Sequence, residues 1–289
     1  MIKLIASDMD GTLLGSKMEV LPENIEAIRF AEAQGIKFMV ATGRSHTEAL
    51  PALEEAGISC PMITVNGAQA FDENGRELFT IDINHDNARK IMSALENAGA
   101  YYEIATNKGV YSNNQHQRIE NSASMLASHL PHLTFKMAIA MAAARLQLLD
   151  VKYVADYQEL FADDSIKLLK FFVSSSNGPT YLQNLRETIE LVPDVIITSS
   201  FADNLEINHV DAQKGIAVKH VAENLGIPLN EVMTIGDNYN DASMLQIAGV
   251  SFAMANAEEG VKKLARYETT HHTEGGVGKA IHRAIAENL

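Results

Sequence analysis

The first fourteen residues read Met1-Ile2-Lys3-Leu4-Ile5-Ala6-Ser7-Asp8-Met9-Asp10-Gly11-Thr12-Leu13-Leu14, and the change of character at Asp8 decides the fold. Residues 2–7 form a short apolar run suited to a strand buried on both faces of a parallel sheet. Two carboxylates follow at once. In an open parallel sheet, ligands bind beyond the carboxyl ends of the strands. Asp8 and Asp10, two residues apart, can point into one crevice there, and Gly11 permits a tight turn with its backbone close to an anion. A plain polar turn uses the same residue types, so the reading depends on what the rest of the chain sets beside them.

Working outward, the first third alternates helix and strand. Residues 22–34 read as a helix with Pro22 near its start and Gly35 at its stop. Residues 36–41 read as a strand, and 47–56 as a helix in which Pro51 is expected to produce a bend or an early end. Residues 62–65 form a further strand that ends at the turn pair Asn66-Gly67. The last third repeats the alternation, with helices at 213–225, 241–248 and 279–287 and strands at 232–235 and 250–253. Such alternation implies a parallel sheet with helices on both faces, an α/β Rossmann-like core. The middle differs. Strands at 101–106, 109–112, 170–174, 195–199 and 205–208 look antiparallel and are mixed with helices at 87–97 and 180–189. The expected organisation is a core of residues 1–82 and 209–289 interrupted by an inserted α+β domain at 83–208.

Composition narrows the function classes. A net charge of −14 argues against nucleic acid, whose phosphates select an excess of Lys and Arg. It leaves room for a small phosphorylated ligand, which a few cations, a metal and backbone amides can hold. The single Cys60 makes no internal disulfide or multi-cysteine metal site and reads as a packed small side chain. The initial apolar run is too short for a signal peptide, and no stretch approaches the length of a membrane span, so a cytoplasmic protein is expected.

Three further segments fall at predicted strand ends or helix starts. Thr42-Gly43-Arg44 offers a hydroxyl and two amides before a helix, as an anion site needs; simple capping by Thr42 or Ser45 is the plainer account. Lys214 stands at a helix start, where a cation opposes the macrodipole, which hints at a task other than helix stability. Gly236-Asp237-Asn238-Tyr239-Asn240-Asp241 follows a strand and gathers the oxygen donors a hard cation prefers.

Together these four segments resemble, in order, the four motifs of the haloacid dehalogenase superfamily, in its phosphatase branch with a type IIB cap, the Cof-like hydrolases. Asn66-Gly67-Ala68, Leu205-Glu206-Ile207 and Gly275-Gly276-Val277 are smaller matches. The resemblance covers the core; the inserted domain matches in position and mixed character only. It implies a Mg²⁺-dependent phosphatase acting on a small metabolite through a phospho-aspartate. Asp8 would be nucleophile and metal ligand, and Asp10 general acid and base, its carbonyl also on the metal. Met9 through its amide, Thr42, Gly43, Lys214 and Asn240 would hold the phosphoryl group. Asp237 would complete the metal site, with Asp241 as a supporting or outer-shell carboxylate. Arg44 is left outside this set, as a residue serving the helix or the cap.

The alternatives are a sugar phosphomutase of the same superfamily and a non-catalytic module that binds Mg²⁺ or phosphate. The pair His271-His272 is read as surface or structural, because neighbours on a strand point to opposite faces. Gly275 to Lys279 is read as a turn feeding the last helix, since it lacks the spacing of a phosphate loop. Substrate choice is assigned to the inserted domain, with sugar phosphates first and flavin-pathway phosphates second. A monomer is expected.

Overall fold

The computed structural model describes residues 1–129, 133–146, 151–175, 177–199 and 203–289. The chain divides into two compact units, Met1–Ile81 with Asp211–Leu289, and Asp82–Val210. The amino-terminal part of the first unit holds strands β1 (Leu4–Ser7), β2 (Lys37–Ala41), β3 (Met62–Thr64), β4 (Gln69–Phe71) and β5 (Glu77–Thr80), with helices α1 (Pro22–Ala33) and α2 (His46–Glu55). The second unit holds β6 (Tyr102–Thr106), β7 (Gly109–Ser112), β8 (Val151–Tyr153), β9 (Leu168–Ser174), β10 (Val195–Thr198) and β11 (Asn204–His209), with α3 (His85–Asn97), α4 (Gln115–His129), α5 (Phe135–Leu146) and α6 (Pro179–Ile189). The chain then returns to the first unit as α7 (Lys214–Asn224), β12 (Val232–Gly236), α8 (Ala242–Ile247), β13 (Val250–Ala253), α9 (Glu259–Lys262), β14 (Tyr267–Glu268) and α10 (Gly276–Ala286).

The first unit's sheet runs β14-β13-β12-β1-β2-β3-β4-β5. The six strands from β14 to β3 are mutually parallel, and β4 and β5 add an antiparallel edge. Every residue of β1 is buried, as a central parallel strand requires. The side-chain alternation of the strands divides the core in two. Ile5, Phe38, Val40 and Ile235 pack with α1, α2 and α10, while Leu4, Ala6, Met39 and Val232 pack with α7 and α8.

Because β1 is flanked by β12 and β2 in parallel register, Ser7 lies between Ile235 and Val40. The loops after these strands therefore emerge side by side, about 4.8 Å apart. The Asp8 N–H still donates to the Ile235 carbonyl at 2.9 Å, so Asp8 is fixed at the last rung of the ladder.

Local differences from the sequence reading have plain causes. α2 runs on through Pro51, whose missing N–H removes one intrahelical bond without ending the helix. Its start is set by Ser45, whose N–H donates to Glu48 Oε2 at 2.9 Å. The last helix begins at Gly276 instead of Lys279, because Gly278 N–H donates to Asn24 Oδ1 on α1 at 2.8 Å. β4, β5 and β14 are short strands at or next to the sheet edges, with little periodic signal.

The second unit's sheet runs β10-β11-β9-β6-β7-β8, antiparallel except for the β7–β8 pair. One face carries Tyr102, Ile104, Phe171, Val173, Leu205 and Ile207, packed on α3 and α6. α4 and α5 pack on each other through Ala123, Ala138 and Ala142. Among the described residues no helix is long and apolar enough to cross a membrane.

Candidate active site

All the sequence-predicted site residues lie in the first unit, in the loops that follow β1, β2 and β12 and at the start of α7. After Asp8 the backbone makes one wide turn over Met9–Leu13, in which Asp10 is extended and Gly11 takes φ +75°. Gly11 also lies so close to the Asp237 carboxylate that a side chain at this position would collide with it. The Met9 side chain is fully buried in the apolar core, so only its backbone belongs to the site.

Lys214 sits at the first position of α7 and is completely buried. Its Nζ donates to Asp8 Oδ1 at 2.5 Å and to Asp241 Oδ1 at 2.6 Å. The misfit with the helix dipole is thus outweighed by two charge-assisted bonds. Asp241 Oδ2 accepts from the N–H groups of Asp237 and Asn238 at 2.9 and 3.0 Å, so both of its oxygens are committed to ordering Lys214 and the loop. Asp237 Oδ1 accepts from Thr12 Oγ1 at 2.8 Å. Asp8 Oδ2 accepts no hydrogen bond among the described residues.

Asp8, Asp237 and Asp241 bring carboxylate oxygens within 4.8 Å of one another. Three carboxylates around one ammonium leave excess negative charge in a buried place. Burial, then repulsion from Asp241, raises the Asp8 carboxyl well above its ordinary range, with Lys214 opposing. Burial and Asp241 likewise push Asp237 up to about 6. Burial works against the Lys214 ammonium, but Asp241 and Asp8 hold it protonated. A hard divalent cation fits this donor set: it is all oxygen, and its charge excess calls for a positive ion.

The remaining residues fall into two neighbouring groups. Asp10 is held by Arg44 through two bonds, 2.6 Å from Nη2 and 2.8 Å from Nε. Arg44 also donates to the Glu48 carbonyl at 3.3 Å. The residue set aside in the sequence therefore grips one of the two carboxylates of the first motif. Thr42 is buried and its Oγ1 accepts from Arg44 N–H at 3.1 Å, a local turn, while the cap of α2 is Ser45. Gly43 and Asn240 meet at Asn66: a side chain on Gly43 would strike Asn66 Oδ1, which accepts from Asn240 Nδ2 at 3.2 Å.

Other contributors were not legible. Asn256 donates to the Gly11 carbonyl at 2.8 Å and accepts the His272 N–H at 3.1 Å. His272 Nδ1 donates to the Leu14 carbonyl at 2.8 Å. The two histidines do not straddle a strand. They stand at the start of a short helical turn with rings 4.5 Å apart, and His272 braces the loop that carries Asp8. Cys60 is buried, and burial pushes its thiol up to about 12, as an inert packed side chain requires.

The sequence pattern of the haloacid dehalogenase-like hydrolases matches residues 5–281. The chain belongs to that family. It is 35% identical over 278 residues to phosphatase YwpJ of Bacillus subtilis, covering 96% of this chain and 97% of that protein. It is 29% identical over 280 residues to the B. subtilis 5-amino-6-(5-phospho-D-ribitylamino)uracil phosphatase YcsE, covering 97% and 94% of the two chains. A solved haloacid dehalogenase-like hydrolase from B. subtilis superposes with a TM-score of 0.86 at 34% identity, over 97% of this chain and 99% of that one.

Proposed function

We propose that this haloacid dehalogenase-like hydrolase is a Mg²⁺-dependent phosphatase that cleaves a small phosphomonoester through a phospho-aspartate on Asp8. The observation that carries this reading is the fully buried Lys214, clamped between Asp8 and Asp241 at 2.5 and 2.6 Å beyond the end of β1. A buried ammonium that fixes one oxygen of a carboxylate and leaves the other unengaged prepares that carboxylate to attack.

Unaided hydrolysis of a phosphate monoester is so slow that catalysis must supply roughly 20 kcal/mol. Asp8, Asp237 and the Asp10 carbonyl would hold Mg²⁺, which masks the repulsion between carboxylate and phosphate. Asp8 Oδ2 attacks phosphorus, the bond from phosphorus to the leaving oxygen breaks, and Asp10 gives that oxygen its proton. Asp10 then takes a proton from water, the water oxygen attacks phosphorus, and the bond to Asp8 breaks to release inorganic phosphate. Lys214, Thr42, Gly43, Asn240 and the Met9 amide would hold the phosphoryl oxygens through both steps. Both oxygens of Asp10 are engaged by Arg44, so proton transfer requires Arg44 to release at least one of them.

The naming of YwpJ and YcsE as phosphatases supports the reaction class. The inserted residues 83–208 are assigned substrate choice. Sugar phosphates rank first; the ribityl phosphate in YcsE's name supports flavin-pathway phosphates as second. Asp8→Asn tests the reading. Hydrolysis of p-nitrophenyl phosphate with Mg²⁺ should fall at least about 10³-fold with the fold retained by circular dichroism. A variant that still turns over, or a wild type inactive from about pH 5 to 9, would refute it.

A further inference from the structure

Three consecutive residues after β3 leave the usual backbone regions. Val65, Asn66 and Gly67 take φ values of +50°, +61° and +103°. A left-handed β-branched valine is an outlier, and strain of this kind persists only where the surroundings over-determine it. The turn is anchored at both ends. Val65 N–H donates to the Arg44 carbonyl at 2.8 Å, and Asn66 N–H to the Thr42 carbonyl at 3.0 Å. Gly67 packs directly on the backbone of Gln213, the residue before Lys214. The Asn66 side chain, 3% exposed, turns inward, with Oδ1 against Gly43 and accepting from Asn240 Nδ2. One strained turn thus touches the loop after β2, the start of α7 and the loop after β12.

We infer that Asn66 is a positioning residue for the phosphoryl cradle. Its carboxamide oxygen fixes the Asn240 amide so that the remaining Asn240 N–H stays available beside Gly43. This rests on the phosphatase reading, in which Gly43 and Asn240 hold phosphoryl oxygens. The physical logic is that an amide can turn end for end with little change of shape. An amide presented oxygen-first would repel a phosphate, whereas an acceptor placed on one of its N–H bonds forces the nitrogen to face the site. An acceptor at this place must come from a residue that tolerates a left-handed backbone, and asparagine is among the few that do.

The backbone makes a clean experiment possible. Asn66→Gly keeps the left-handed conformation and removes only the carboxamide, whereas Asn66→Ala would add strain of its own. With p-nitrophenyl phosphate and Mg²⁺, KM and the inhibition constant of inorganic phosphate should each rise about fivefold to tenfold in Asn66→Gly. Its kcat should change less than about threefold, the pattern of lost uniform binding. Asn240→Ala should show the same rise, and the double variant should be no worse than the poorer single one, since both remove one device. A wild-type phosphate inhibition constant in Asn66→Gly, or additive losses in the double variant, overturns the proposal. So does a loss confined to the thermal midpoint. Should Asn66→Gly not fold, Asn240→Ala decides: wild-type phosphate inhibition there overturns it as well. An Asp8→Asn enzyme that stays active would instead sink the phosphatase reading itself.

Discussion

In the first unit's sheet the central strands β1, β3, β12 and β13 carry no charged side chain, and charge gathers in the loops beyond their ends. In the second unit's sheet, buried charge lies on the strands themselves. Glu103 on β6, Lys170 on β9 and Glu206 on β11 are 8%, 8% and 5% exposed. These three alternate with the residues of the apolar face, as the two-residue period demands. Lys170 Nζ lies 3.6 Å from Glu206 Oε1, a diagonal cross-strand pair, and Glu103 meets Arg118 at 3.0 Å and the Tyr101 hydroxyl at 2.8 Å. The difference is one of balance. In the second unit these three buried charges each meet an opposite one, whereas at the end of β1 one lysine bonds two carboxylates of a cluster of three. Balanced burial is compatible with a structural part; unbalanced burial raises the Asp8 and Asp237 carboxyls and is compatible with a further positive group.

The sharpest test of that contrast is Lys214→Met. Leaving Asp8 and Asp241 without their shared cation should abolish turnover, by about 10³-fold or more. It should also cost about 3–5 kcal/mol in urea unfolding without added metal. Mg²⁺ should recover part of the stability and none of the activity. Arg44→Ala should have a smaller effect. Asp10 then loses the side chain that orients it, so kcat should fall about tenfold to a hundredfold with little change in KM. Its effect on the melting temperature should be slight, because the pair is partly exposed. The smallest effect is expected from replacing Lys170 and Glu206 together by Met and Leu. A buried pair exchanged for apolar groups of similar volume should change stability by less than about 2 kcal/mol. A double variant as damaged as Lys214→Met would erase the distinction between the two sheets.

Much of the core was legible because its signals are local. The apolar run before Asp8, Pro22 at the start of α1 and Gly35 at its end report the conformation of their own segment, and the elements lie within a few residues of where the sequence puts them. Lys214 was legible for a related reason: a cation at a helix start is locally unfavourable and so needs an external partner. Arg44 gripping Asp10, Asn256 bridging Gly11 and the His272 loop, and the strained Val65-Asn66 turn were not. Their side chains leave loops without periodicity, and their partners stand 16 to 245 positions away in the chain.

The sequence by itself determined that strands end in carboxylates, that a lysine opens α7, and that an α+β segment interrupts the core, because strand and helix periods and their stop signals are properties of short segments. Only the tertiary structure decided which carboxylate pairs with which cation. Asp8 takes Lys214 and Asp10 takes Arg44 because the parallel order of β12, β1 and β2 sets three loops side by side. Within that arrangement, the direction of each side chain is fixed by whatever neighbour satisfies it.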